Sequence, residues 1–178
     1  CGARAGEYQK VGLDEFDHGI GCGGFFRRGA LRWMSITLKD GIQIVEDAAP
    51  EFEAVAAIQR GLHDFNQETG GPYDREPVTL LVQDADGKTL GGLLGLTFWG
   101  WLFIDWLYLE RGMRRRGIGE ELLRRAEAIG RERGCTNAYT DTFSFQAPGF
   151  WKRNGYVEFG KLEGMPAGHA RVWLRKKL

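Results

Sequence analysis

Three arginines run directly into two glycines at Arg114-Arg115-Arg116-Gly117-Ile118-Gly119, a pattern whose chemistry is anion binding. An amphipathic helix follows at once, with Ile118, Leu122, Ala126 and Ile129 at helical spacing. The first turn of a helix leaves backbone N–H groups unpaired and carries the positive end of the macrodipole, so a diphosphate can sit there. Gly117 and Gly119 have no side chain to block close approach, and the arginines add charge at the rim. Two other phosphate loops are excluded by inspection. Gly117-x-Gly119 lacks the third glycine of the dinucleotide fingerprint, and Gly112-x-x-x-x-Gly117 is followed by Ile118 where a nucleotide P-loop needs lysine.

The strand that precedes this loop ends in Leu107-Tyr108-Leu109, and with Arg114-x-x-Gly117-x-Gly119 it resembles motif A of the GNAT acetyltransferases. The later run from Thr142 through Phe143-Ser144-Phe145-Gln146-Ala147-Pro148-Gly149-Phe150-Trp151 to Gly155-Tyr156 resembles their motif B. Trp99-Gly100-Trp101, the TDTFSFQAPGF run and Pro166-Ala167-Gly168-His169 resemble a bacterial branch of that family. The likeness spans residues 36–178. It implies a mixed, mostly antiparallel central sheet with splayed middle strands, flanked by helices. It also implies an N-acetyltransferase with acetyl-CoA as donor, no metal, and a small-molecule or peptide amine as acceptor that attacks directly in a ternary complex. A homodimer is compatible with the family. Within the resemblance, pantetheine pairs with the backbone around Leu107, Tyr108 and Leu109, and the segment Arg114, Arg115, Arg116, Gly117, Ile118, Gly119 holds the CoA pyrophosphate. Ser144 stands where many members have an asparagine near the pantetheine, with a shorter reach, and Phe150 lines the CoA channel.

An alkylamine with a pKa of about 10.4 is mostly protonated at neutral pH, so a transferase gains from a base. Asp105 is the leading candidate because it interrupts the apolar strand from Trp101 to Leu109, on the face that simple alternation shares with Phe103 and Leu107. The competing reading is a strand aspartate paired with an arginine for structural reasons. Many family members place a tyrosine after the motif B phenylalanine to protonate the departing sulfur; here the pair is Phe150-Trp151, and an indole N–H is no practical acid. A thiol with a pKa of about 8.5 leaves readily as thiolate, so activity survives that change. Tyr108, Tyr139 and Tyr156 are substitutes outside the motif position, better read as packing residues, and His169 is a secondary candidate in a Gly-flanked loop.

Trp99, Trp101, Trp106 and Trp151, with Tyr73, Asp74 and Glu76, are expected around the acceptor and would suit a cationic amine, although core packing accounts for tryptophans equally well. Two functions of other classes compete. One is a catalytically silent acyl-CoA-binding sensor, suggested by Trp151; the other is a nucleic-acid binder using Arg111 and Arg114 to Arg116. Lys+Arg 24 against Asp+Glu 24 gives no net charge to draw the chain to nucleic acid or an anionic membrane.

The scaffold that must hold these residues reads as one α/β domain over 34–178. A chain of 178 residues with 43% hydrophobic content can bury a sizeable core. Residues 1–33 are glycine-rich without apolar period and read as a disordered or non-native extension, with Met34 as a natural start. Cys1, Cys22 and Cys135 lack metal-site spacing, and with no signal or membrane-spanning pattern the expected location is the cytoplasm. Strands are expected around 42–45, 78–82, 90–99, 101–109, 135–143, 156–162 and 171–174. Helices are expected from Pro50, over 118–133, and over 146–154. The first carries the apolar stripe Phe52, Val55, Ile58, Leu62 and Phe65.

Overall fold

The computed structural model describes residues 35–178; the expectation for 1–33 lies outside the described residues. The described residues fall into two units, 35–50 and Glu51–Leu178. In the first, β1 (Ser35–Thr37) and β2 (Gln43–Val45) form an antiparallel hairpin with Ile36 opposite Ile44. The sequence predicts the second of these strands and not the first.

The second unit begins with α1 (Phe52–Gly70) and continues through β3 (Glu76–Gln83), β4 (Thr89–Phe98), β5 (Trp101–Leu109), α2 (Ile118–Glu132), β6 (Asn137–Phe143), α3 (Pro148–Arg153), β7 (Val157–Glu163) and β8 (Ala170–Lys177). Its six strands lie in the order β3-β4-β5-β6-β8-β7, and only the β5–β6 contact is parallel. The β3–β4 hairpin closes through Asp84, whose carboxylate accepts the amides of Asp86 and Lys88 at 3.1 and 2.9 Å. No helix among the described residues is long and apolar enough to cross a membrane.

The apolar stripe of α2, Leu122, Leu123 and Ala126, lies over β3, β4 and β5 and shares one buried core with Val78, Leu93, Leu102, Ile104, Ala138, Val172 and Leu174. One turn further along the helix Glu127 is buried as well. It is not left unpaired: Lys176 Nζ donates to both carboxylate oxygens at 2.8 Å, and the Tyr156 hydroxyl donates to Oε1 at 3.3 Å. The α1 stripe behaves differently. Phe52 is 82% exposed, Ile58, Leu62 and Phe65 are also exposed, and Ala56 alone is buried. Periodicity specifies that a helix has an apolar face, but it does not say what covers it.

The strand that carries the candidate base is irregular. Leu94 pairs with Trp106 and Gly95 with Ile104, so Asp105 has no partner on β4 and forms a bulge. A side chain at Gly95 would collide with the Phe103 carbonyl oxygen, so the bulge depends on glycine there. The extra residue switches the alternation. Leu102 and Ile104 face α2 before it, and Leu107 and Leu109 face the same core after it, while Trp106 and Tyr108 are exposed. The expected shared face of Phe103 and Leu107 is therefore broken at Asp105 itself.

Candidate active site

Strands β5 and β6 pair from Trp101↔Asn137 to Ile104↔Thr140 and no further. Beyond that point Asp141, Thr142 and Phe143 bond only to β8, while β5 runs on to Leu109 paired only to β4. The two central strands splay, and one edge of β5 from Asp105 to Leu109 is left without a strand beside it. At the far end of that edge the chain makes a 3-10 turn (Arg111–Met113), passes through Arg115 at φ 60° and Gly117 at φ 77°, and enters α2. No N–H from Arg115 to Glu120 meets a protein acceptor among the described residues. A left-handed arginine is a strained conformation of the kind that clusters at ligand sites, and Gly117, also left-handed, stands just before α2.

The three arginines do different things. Arg114 folds back, donating from Nε to the Leu109 carbonyl at 2.8 Å with its guanidinium over the Tyr108 ring, so it braces the end of β5. Arg116 donates to the Met113 sulfur at 3.5 Å, and Arg115 is exposed. Phe150, from α3, lies beside Gly119: a Cβ there would stand 3.5 Å from its ring and 3.8 Å from Leu109. The end of β5, the start of α2 and α3 thus meet around one opening. An open groove of about 610 Å³ between β3 and the start of α2 is lined by Leu80, Val82, Arg116, Gly117, Ile118 and Arg125, so it reaches the same arginine-glycine loop from the β3 side.

Motif B side chains are partly committed to structure. Trp151 is 6% exposed and packs edge-on against Phe150 and Tyr156, so it belongs to the core and not to an acceptor cluster. The Ser144 hydroxyl accepts the Ala170 amide at 3.1 Å and stands 3.5 Å from His169 Nδ1. Burial and the adjacent Glu127 carboxylate push the Tyr156 phenol far above its ordinary range, so this tyrosine stays protonated and occupied.

The face of the sheet opposite α2 is aromatic. Phe103 stacks on Tyr139 at 4.7 Å, Trp101 meets Tyr139 edge-on, and Tyr73 meets Phe98 and Trp99. Desolvation, then the nearby Tyr73, Asp105 and Asp141, raise the Tyr139 phenol. The expected carboxylates already have partners: Asp74 accepts the Trp99 amide at 3.2 Å, and Glu76 pairs with Arg133 at 3.1 Å. Two further residues that sequence reasoning missed, Asp141 and Arg171, are joined at 2.5 Å across β6 and β8. The alternation of β6, with Ala138, Thr140 and Thr142 buried, could have placed Asp141 on the opposite face; Arg171 needed the β8 register.

A gap between splayed strands, with a helix N-terminus at its end, is what this architecture offers. The pattern of the acetyltransferase (GNAT) family matches residues 42–156, and the chain belongs to that family of acetyltransferases. An acetyltransferase of Agrobacterium fabrum (strain C58) is 34% identical over 134 residues, covering 75% of this chain and 97% of the relative. Blasticidin-S acetyltransferase of Streptomyces morookaense is 41% identical over 93 residues, 52% of this chain and 68% of that protein. A crystal structure from Agrobacterium tumefaciens, 32% identical, superposes with a TM-score of 0.73, covering 77% of this chain and 100% of the other.

Proposed function

We propose that the protein transfers the acetyl group of acetyl-CoA to a primary amine of a small molecule or peptide, by direct attack of the amine in a ternary complex. The observation that carries this reading is the divergence of β5 and β6 after Ile104 and Thr140, with unpartnered α2 amides at the end of the exposed edge. The residues present suit the donor. The amides from Arg115 to Gly119 would take the diphosphate. The open edge at Leu107, Tyr108 and Leu109 would pair with the pantetheine amides as a further strand would, and Phe150 would flank it. Ser144, with its hydroxyl already accepting an amide, would contribute at the mouth. Acetyl-CoA supplies the thioester carbonyl that the amine attacks and a leaving group of low basicity.

Asp105 would remove the proton of the incoming ammonium, directly or through water. The bulge supports this role because it takes the residue out of the ladder and leaves it exposed beside the opening. No side-chain acid is needed for the thiolate, in keeping with a buried Trp151. The named activity of the Streptomyces relative supports a small-molecule acceptor over a protein. Acetyl-CoA turnover against a panel of amines, read as free thiol release, tests the proposal: amine-dependent release is expected. Saturable CoA binding with no turnover on any amine would overturn it in favour of a sensor.

A further inference from the structure

Arg171 is a basic side chain held beside the point where the strands part, and its construction differs from that of a surface arginine. Asp141 follows Thr140, the last β6 residue paired to β5, and Asp105 follows Ile104, the last β5 residue paired to β6. The two carboxylates therefore lie on either side of the point where the strands part. Arg171, on β8 opposite Phe143, donates from Nε to Asp141, and its guanidinium lies 5.5 Å from the Phe143 ring and 5.3 Å from the Trp173 ring. The bond and the two rings fix the plane of the fork. Neither terminal nitrogen meets a protein acceptor among the described residues, and the side chain remains 34% exposed. A planar, pre-oriented guanidinium with its outer edge free is the geometry that binds a carboxylate through two parallel hydrogen bonds. The Asp141 hydrogen bond, and more weakly Asp105, raise the Arg171 pKa, which places Asp105 within electrostatic reach of the same group.

We propose that Arg171 binds a carboxylate of the acceptor, so that the substrate is an amino-carboxylate whose nitrogen lies toward Asp105 and whose carboxylate lies on the Arg171 fork. This rests on the transferase reading above and narrows its acceptor. A dianionic phosphate suits the site less well, because Asp141 and Asp105 offset the charge of Arg171. A cation without a carboxylate would meet Asp105 but leave the fork unsatisfied. A site built to hydrogen-bond a substrate group discriminates strongly against the analogue that lacks it.

The test uses the full chain, acetyl-CoA and a series of ω-amino acids of increasing length, each against its carboxamide. The wild type should favour at least one carboxylate over its carboxamide by about tenfold or more in kcat/KM. Arg171→Met should raise KM for that carboxylate by about tenfold or more, leave the carboxamide within a few-fold, and so erase the preference; Arg171→Lys should restore part of it. A bracing role alone predicts equal losses on both members of each pair, which would overturn the proposal. Should the variants not fold, the wild type decides by itself: carboxamides used as well as carboxylates would sink the inference and leave the transferase reading intact. Turnover on no amine at all would overturn both.

Discussion

On the α2 side of β5 the chain presents backbone: unpartnered amides from Arg115 to Glu120, a left-handed Arg115 and Gly117, and glycine at 119. On the opposite side it presents side chains: Asp105 from a bulge, Asp141 from β6, Arg171 from β8 and a field of aromatic rings. The first arrangement suits a ligand part that never varies, since amides at a helix start recognise any diphosphate. The second is adjustable residue by residue, since replacing an outward-facing strand residue does not disturb the packing under α2. Under the proposed function, donor recognition and acceptor choice would fall to opposite faces of one sheet.

The largest expected effect breaks the side-chain half alone. Asp105→Asn keeps the shape of the bulge residue and removes its capacity to accept a proton, so kcat should fall by roughly 10²- to 10⁴-fold with acetyl-CoA affinity nearly unchanged. The loss should shrink as pH rises toward the amine pKa of about 10.4, where the acceptor arrives deprotonated. A stable variant with normal turnover at neutral pH would remove Asp105 from the chemistry. Gly119→Val breaks the backbone half. Its first carbon would fit at 3.5 Å from Phe150, but the branching methyls must displace that ring or the helix start, and the dissociation constant of acetyl-CoA should rise about tenfold or more by calorimetry. Unchanged affinity in a folded variant would show that the donor does not use this cradle.

Smaller effects sharpen the division. Tyr156→Phe removes the hydrogen bond to Glu127 and should lower stability by about 1 kcal/mol, a Tm decrease of about 2–4 °C. Because burial and Glu127 keep this phenol protonated, the pH profile of turnover should not move; a lost alkaline limb would make Tyr156 the acid for the thiolate. The smallest effect is expected from a chain beginning at Met34, which should keep its thermal transition and acetyl-CoA affinity. A marked loss of either would give residues 1–33 a structural role.

The backbone half of the site was legible because it is contiguous: strand, loop, glycines and helix follow one another within Leu107 to Leu122, and each carries a local signal. The other half was legible only as a suspicion about Asp105. A bulge adds one residue and reverses the side-chain alternation without any signature except Gly95 on the neighbouring strand. The Asp141–Arg171 pair joins residues whose proximity is created by β8 inserting between β6 and β7. The sequence did not show that Asp74 and Glu76 would pair with the Trp99 amide and Arg133. For α1 the period predicted the helix and its stripe correctly, yet the exposure of Phe52 and Phe65 had no sequence signal.

The short parallel contact between β5 and β6 also makes the sheet two antiparallel leaves, β3-β4-β5 and β6-β8-β7, fastened along Trp101–Ile104 and Asn137–Thr140 and open beyond. The joint is confined to one end, and α2 lies chiefly on the first leaf, reaching the second through the Glu127–Lys176 pair. Amide hydrogens on the open edge of β5 then exchange with solvent faster than those within either leaf. A ligand that fills the gap takes the place of the missing ladder, and the two leaves gain protection together. Occupancy of the cleft would in that way be recorded as slowed exchange across the whole central sheet.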